Sequence, residues 1–354
     1  MPTFFDAHLD LAYLAESGRD MSAENLATCG GRHLPAAVTF GSLRGGGVSA
    51  CLGTIFTEAV ADPSKAGAET GVFAYPLGDA EAAHRAGLRQ LEWYHQWRLE
   101  GLIELMPRRG TGWPGPRGSG PDASGRVGIL MECADPIRTP DELGFWVERG
   151  VIAIGLAWVH GSRYAAGNGA PADDNPGLTD LGRALVRAMD HQGVVHDLSH
   201  LSQRATDQVL ELTDAAVIAS HSNCRALFDR DPYPNARQRH LADSTIREVA
   251  RRGGVVGINL LSDFLDPALE RGQRASLDQV VRHIERVCEV AGHRRAVGLG
   301  SDMDGGFSAA RLPAGVNSPT DLALLLAALK GAGWAEAEIG GFAAANWLRF
   351  WDSE

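Results

Sequence analysis

Eight short apolar runs rich in β-branched residues recur along this chain, and the stretches between them carry helical periodicity. The runs span 3–7, 48–56, 127–131, 151–158, 194–198, 216–220, 255–260 and 296–300. Between them, apolar residues fall at i, i+3 and i+4, as in Leu181, Ala184, Leu185, Ala188 and Met189, or Val280, Ile284 and Val287. That spacing predicts amphipathic helices. Strands that alternate with helices pair in parallel, because each helix returns the chain to the start of the next strand. Eight such units predict an α/β fold, a (β/α)8 barrel of TIM type. Gly47-Val48, Gly150-Val151, Gly193-Val194 and Gly254-Val255 mark where a helix stops and the next strand begins, a role suited to glycine at a helix end. With 354 residues, 44% of them hydrophobic, the chain can bury a core of that size. One barrel domain spanning 1–354 is expected.

Two irregular stretches interrupt the alternation. The segment 107–126 is rich in Gly, Pro and Ser and reads as a long surface loop. The segment 228–240 follows the sixth run and could cover the barrel mouth. Composition narrows the partners. There are 33 basic and 44 acidic residues, a net charge of -11, and no basic run longer than pairs such as Arg251-Arg252 or Arg294-Arg295, which argues against a nucleic-acid partner. Five cysteines (Cys29, Cys51, Cys133, Cys224 and Cys288) show no C-x-x-C spacing, and an odd, scattered set argues against a disulfide framework and for a reducing compartment. No basic n-region with a long apolar run opens the chain and no stretch reaches about 18 apolar residues. A soluble, cytoplasmic protein without a membrane partner is expected.

The chemistry-bearing residues cluster where the runs end. His8 and Asp10 follow the first run, Glu132 closes the third, His200 follows the fifth, His221 the sixth and Asp302 the eighth. In a barrel, those C-terminal strand ends form the face where active sites are built. His8 and Asp10 share one face of an extended segment, and imidazole with carboxylate suits a borderline cation such as Zn²⁺. His200 and His221 end successive strands and become neighbours in a barrel. His196 lies on the same pleat face as His200, so the pattern leaves open which of the two points inward. Glu132 can be a solvated rim residue, or it can bridge two cations held by the flanking pairs, an arrangement that activates a shared water. Asp302 and Asp304 compete within GLGSDMDGG: one can shuttle a proton while the other caps the turn.

These residues lie in motifs that resemble the membrane dipeptidase family, also called renal dipeptidases, which are binuclear zinc peptidases of amidohydrolase type on a distorted (β/α)8 barrel. The resemblance rests on FDAHLDL, GILMECAD, GLAWVH, GVVHDLSHLS, VIASHSNCRAL, RQRHLADSTIREVARRGGVVGIN, AVGLGSDMDGGF and AANWLRFW. It implies that His8 and Asp10 bind one zinc, that His200 and His221 bind a second, and that Glu132 bridges them; it favours His200 over His196. It further implies that His160 steadies the oxyanion, that Arg239 captures the substrate's C-terminal carboxylate, and that Asp302 shuttles the proton. Asn259, at the end of the seventh run, joins Arg239 and His160 among the expected substrate-binding residues. The sequence departs from its relatives at His240, where many carry Asn, and Asn259-Leu260-Leu261 lacks the aromatic of the animal enzymes, so their side-chain preference is not carried over. The signal peptide, paired cysteines and lipid-anchor signal of the cell-surface members are also missing, which speaks against a surface or digestive role.

The resemblance therefore implies a zinc-dependent dipeptidase with two ions per chain, acting on small dipeptides of the L-Xaa-L-Xaa and L-Xaa-D-Xaa types. The alternatives are an amidohydrolase for N-acyl amino acids, other small amides or lactones, and a non-catalytic binding protein on the same barrel. The family often forms dimers, so a homodimer is one expected assembly. The apolar C-terminal segment FAAANWLRFW can either seal the barrel or join two chains.

Overall fold

The computed structural model describes residues 3–60, 74–112, 125–171, 175–228, 236–270 and 272–353. Eight parallel strands form the barrel: β1 (Phe4–Leu9), β2 (Val48–Ile55), β3 (Gly125–Met131), β4 (Val151–Gly155), β5 (Val195–Asp197), β6 (Val217–Ile218), β7 (Val256–Ile258) and β8 (Val297–Leu299). Hydrogen bonding runs in the order β7-β8-β1-β2-β3-β4-β5-β6. A parallel bridge between Ala219 and Val256 brings β6 against β7 and nearly closes the ring. Each strand lies within or beside one of the eight apolar runs. Two further pieces were not legible in the pattern: Ile103–Leu105, which pairs with the start of β3, and a small separate pair, Glu58–Val60 with Ala74–Pro76. Each has three residues, too few for a period-two signal to stand out.

The helices between the strands begin and end on local chemistry. Thr179 accepts a hydrogen bond from Gly182 N at the start of helix Asp180–Gln192, and Gly193 ends it at φ +66°. Ser276 and Gln279 form a reciprocal cap on helix Leu277–Ala291, satisfying amides that would otherwise lack partners. Leu185, Met189, Val280, Ile284 and Val287 are buried as the spacing predicts, but Leu181 in the first turn is 40% exposed. Of the two irregular segments, 113–124 and 229–235 lie outside the described residues. Among the described residues, no helix is long and apolar enough to cross a membrane.

The C-terminal segment seals the barrel. Trp347, Phe350 and Trp351 of helix Asn346–Asp352 are buried with Phe5, Ala50, Val195 and Val255, which lie at the starts of their strands. The Trp347 ring stacks on Phe5 at 5.7 Å, and its indole N–H donates to Leu299 O at 3.0 Å. Gly298 makes room for that ring: a Cβ there would lie 2.3 Å from Trp347 Nε1. The end of the barrel at the strand starts is thus filled with apolar side chains.

This packing predicts a compensating pair. Trp347→Ala should cost about 3–5 kcal/mol of stability and Gly298→Ala about 1–3 kcal/mol through overpacking. In urea unfolding, the double variant should lose clearly less than the sum, because removing the indole opens the space the new methyl needs. Strict additivity would show that the two residues do not share this contact.

Candidate metal centre

Strand ends deliver six side chains to one place. His8 and Asp10 come from the end of β1, Glu132 from the end of β3, His200 and His221 from just beyond β5 and β6, and Asp302 from beyond β8. His8 Nε2 lies 3.6 Å from Asp10 Oδ1 and 3.6 Å from Glu132 Oε2. The other oxygen of Glu132, Oε1, lies 3.1 Å from His200 Nε2 and 3.6 Å from His221 Nε2. Glu132 therefore offers one oxygen to the His8 side and the other to the paired histidines. Ligand-type atoms of His8, Glu132 and His221, and again of His8, Asp10 and Asp302, gather within 4.8 Å of one another.

Local backbone and hydrogen bonds aim these groups. His200 and Asp302 both adopt left-handed backbone, at φ +65° and +58°, a conformation that costs a non-glycine residue about 1–2 kcal/mol. His200 is held by Asn168, whose amide N donates to His200 O at 2.7 Å and whose Oδ1 faces His200 Nδ1 at 3.1 Å. The Asp302 amide N donates to His8 O, and Asn259 Nδ2 donates to Asp302 Oδ2 at 2.8 Å. Gly305 has to lack a side chain, since a Cβ would reach within 1.8 Å of Asp302 Oδ1. Thr54 donates its hydroxyl proton to Asp10.

The structure separates the pairs that sequence left open. His196 turns away and pairs with Asp190 at 2.7 Å, while His200 joins the cluster. Asp304 does not reach it: its carboxylate pairs with Arg19 and accepts from the amides of Ala37 and Val38 at 2.8 and 2.9 Å, fastening the segment that leads into β2.

The electrostatics call for positive charge. Burial works against a charged His8, but Glu132 and Asp10 beside it prevail and hold its imidazole well above the usual histidine range. Burial likewise opposes ionisation of Glu132, yet His8 and His200 hold it well below the usual carboxylate range. Burial, then Arg239, pushes His200 down to about 4, and burial, then His8, holds His221 well below the usual histidine range. Asp302 is raised well above its ordinary value by burial and by Asp10 and Glu132. His8 Nε2 and Glu132 Oε2 are buried without a hydrogen-bond partner, and His200 Nε2 faces His221 Nε2 at 2.9 Å. Imidazole nitrogens and carboxylate oxygens converging in this way form a nitrogen and oxygen donor set that fits divalent cations.

The expected substrate groups surround this cluster unequally. Arg239 is buried, donating to His221 O at 2.8 Å and Ser222 Oγ at 3.1 Å, with its guanidinium over Phe264. Asn259 spends its side chain within the protein, on Asp302 and on the amide of Leu261. His160 is exposed at the rim, 5.6 Å from the ring of Trp158, which is itself 6.0 Å from the His200 ring. Sequence reasoning passed over Trp158, Asn168, Asp197 and Ser220. Ser220 and Asp197 lie in the same motifs as His221 and His200, so proximity to a metal-type histidine was the one available signal.

The chain is similar to known proteins over much of its length. A dipeptidase of Schizosaccharomyces pombe, itself uncharacterized, is 32% identical over 177 residues, which are 50% of this chain and 40% of that protein. The chain thus spans well under half the length of this curated relative. A metallopeptidase from Rhodobacter sphaeroides, solved with a phosphinate mimic of L-Ala-D-Ala, superposes with a TM-score of 0.80 at 24% identity, covering 99% of both chains. The metallopeptidase dipeptidase AC gives 0.79, also at 24% identity and 99% of both chains. These two likenesses show the shared fold. Residues 2–354 match the membrane dipeptidase family, peptidase family M19, and the chain belongs to that family.

Proposed function

We propose that this chain is a zinc-dependent dipeptidase, with two ions per chain, that hydrolyses small dipeptides of the L-Xaa-L-Xaa and L-Xaa-D-Xaa types. The observation that carries this reading is the division of the Glu132 carboxylate, with Oε2 toward His8 and Oε1 toward His200 and His221. His8 and Asp10 would hold one ion and His200 and His221 the other, with Glu132 shared. When bound, such a pair of ions polarises the scissile carbonyl and makes water a nucleophile near neutral pH.

The chain's own residues supply the rest. Arg239, a planar cation with its position set by His221 O and Ser222, suits a substrate's C-terminal carboxylate. Asp302 is buried beside His8 and oriented by Asn259, and its raised pKa suits a group that takes a proton from water and passes it to the leaving amine. His160, at the rim beyond Trp158, is placed to approach the carbonyl oxygen of a substrate lying over the cluster and to stabilise the charge that develops there. The dipeptide mimic held by the Rhodobacter sphaeroides protein supports this substrate class and its tolerance of a D-residue at the C-terminal position. All five cysteines are free thiols, which supports a reducing compartment such as the cytoplasm.

Three outcomes are expected. Chelation should abolish dipeptide hydrolysis, and two equivalents of zinc should restore it; activity that survives chelation would sink the metallopeptidase reading. Asp302→Asn should retain both ions by elemental analysis and lower kcat by about 10²–10⁴-fold, and an unimpaired variant would remove Asp302 from proton transfer. Arg239→Ala should raise KM by about 10–100-fold for a free dipeptide, the loss of a charge-assisted hydrogen bond, while barely affecting its C-terminal amide. Equal effects on both would show that Arg239 does not bind the carboxylate. Matched N-acyl amino acids in the same assays test the amidohydrolase alternative, which would be preferred if they alone were turned over.

A further inference from the structure

Ser220 lies beneath both halves of the metal centre. Its hydroxyl oxygen is 3.1 Å from His8 Nδ1 and 2.8 Å from His221 Nδ1. It donates to Asp197 Oδ2 at 2.5 Å, a far shorter contact than the 3.4 Å to Ser199 Oγ. Asp197 is itself fixed, because its Oδ1 accepts from the amides of Ser220 at 2.8 Å and Ser199 at 3.1 Å. All of these groups are buried.

A serine hydroxyl has one proton to give and two lone pairs to receive. With its proton committed to Asp197, Ser220 can only accept from the two imidazoles. Both His8 and His221 must then carry hydrogen on Nδ1, which leaves Nε2 of each ring, on the cluster side, as the atom available to a metal. A histidine that ligates a metal usually has its other nitrogen oriented by a single partner of its own. Here one hydroxyl serves two histidines, one from each half of the donor set. His200, the third imidazole, is oriented separately by Asn168.

We propose that Ser220, held by Asp197, is a positioning residue that fixes the tautomers of His8 and His221 together and so couples the affinities of the two metal positions. This rests on the metal reading above. Removing the hydroxyl frees both rings at once, whereas removing the Asn168 side chain frees only His200 and leaves the His8 and Asp10 position untouched. In Asp197→Asn the carbonyl oxygen can stay on the two backbone amides, and the NH2 group that replaces Oδ2 would donate to the Ser220 oxygen and occupy a lone pair that one histidine requires.

The test is stepwise zinc loading of the full chain by competition with a chromophoric chelator, resolving two dissociation constants. Urea unfolding of the metal-stripped proteins serves as a check that each variant folds. Ser220→Ala should weaken both constants by about 10–100-fold, Asp197→Asn at least one, and Asn168→Ala only one. Nitrogen-15 spectra of the zinc-loaded wild type should show His8 and His221 with hydrogen on Nδ1 and Nε2 bound. If the folded Ser220→Ala weakens one constant or neither, or if either ring carries its hydrogen on Nε2, the coupling is overturned while the dipeptidase reading stands. If the wild type binds no zinc at all, the dipeptidase reading itself fails.

Discussion

Asp6 is buried between the first and last strands, where its carboxylate accepts from Ser301 N at 2.8 Å, from the Ser301 hydroxyl and from His8 N at 3.3 Å. Burial outweighs these hydrogen bonds and pushes its pKa up to about 6, a cost that only a fully satisfied carboxylate can offset. The clasp matters because it joins residues 295 positions apart. It sets β1 against β8 with Asp6 opposite Leu299, and this puts His8 and Asp10 beside Asp302. With the Ala219 to Val256 bridge two strands away, it turns a row of strand ends into a circle, and a circle is what lets Glu132 from β3 face histidines that follow β5 and β6.

The two ends of the barrel divide the physical tasks. The end at the strand starts is dry and sterically matched, with Trp347 set against the flat surface of Gly298. It contributes stability. The opposite end concentrates three imidazoles and three carboxylates out of water, an arrangement that is unfavourable unless compensated. Compensation comes from outer hydrogen bonds by Thr54, Asn168, Ser220 and Asn259, and from the affinity of such a donor set for cations. The same outer residues orient the inner ones, so the cluster is arranged before any substrate arrives, which is the condition under which electrostatic stabilisation is most effective.

Much of this was legible along the chain. The eight apolar runs mark the eight barrel strands to within a few residues, because a strand buried on both faces has to be continuously apolar. The polar residues at their ends mark the open face, because side chains there no longer pack inside the ring. Motif resemblance singled out Arg239, one arginine among several in a polar stretch with no periodicity to mark it. The two added strand pieces, Ile103–Leu105 and the pair Glu58–Val60 with Ala74–Pro76, were too short to read.

What the sequence determined by itself is thus the alternation of elements, the architecture that follows from it, and the set of residues available to the open face. Tertiary structure decided among them. His196 and His200 share a pleat face on paper, but the left-handed backbone at His200 redirects the chain beyond β5, and Asp190 takes His196. Asp302 and Asp304 sit in one glycine-rich turn, yet Arg19 and the amides of Ala37 and Val38 claim Asp304. Asn259 hydrogen-bonds Asp302, and the C-terminal tryptophans fill the barrel. Apart from the His196 pairing with Asp190, six residues away, these outcomes depend on a hydrogen bond or packing contact with a residue far away in sequence, and local periodicity carries no information about what lies across a barrel.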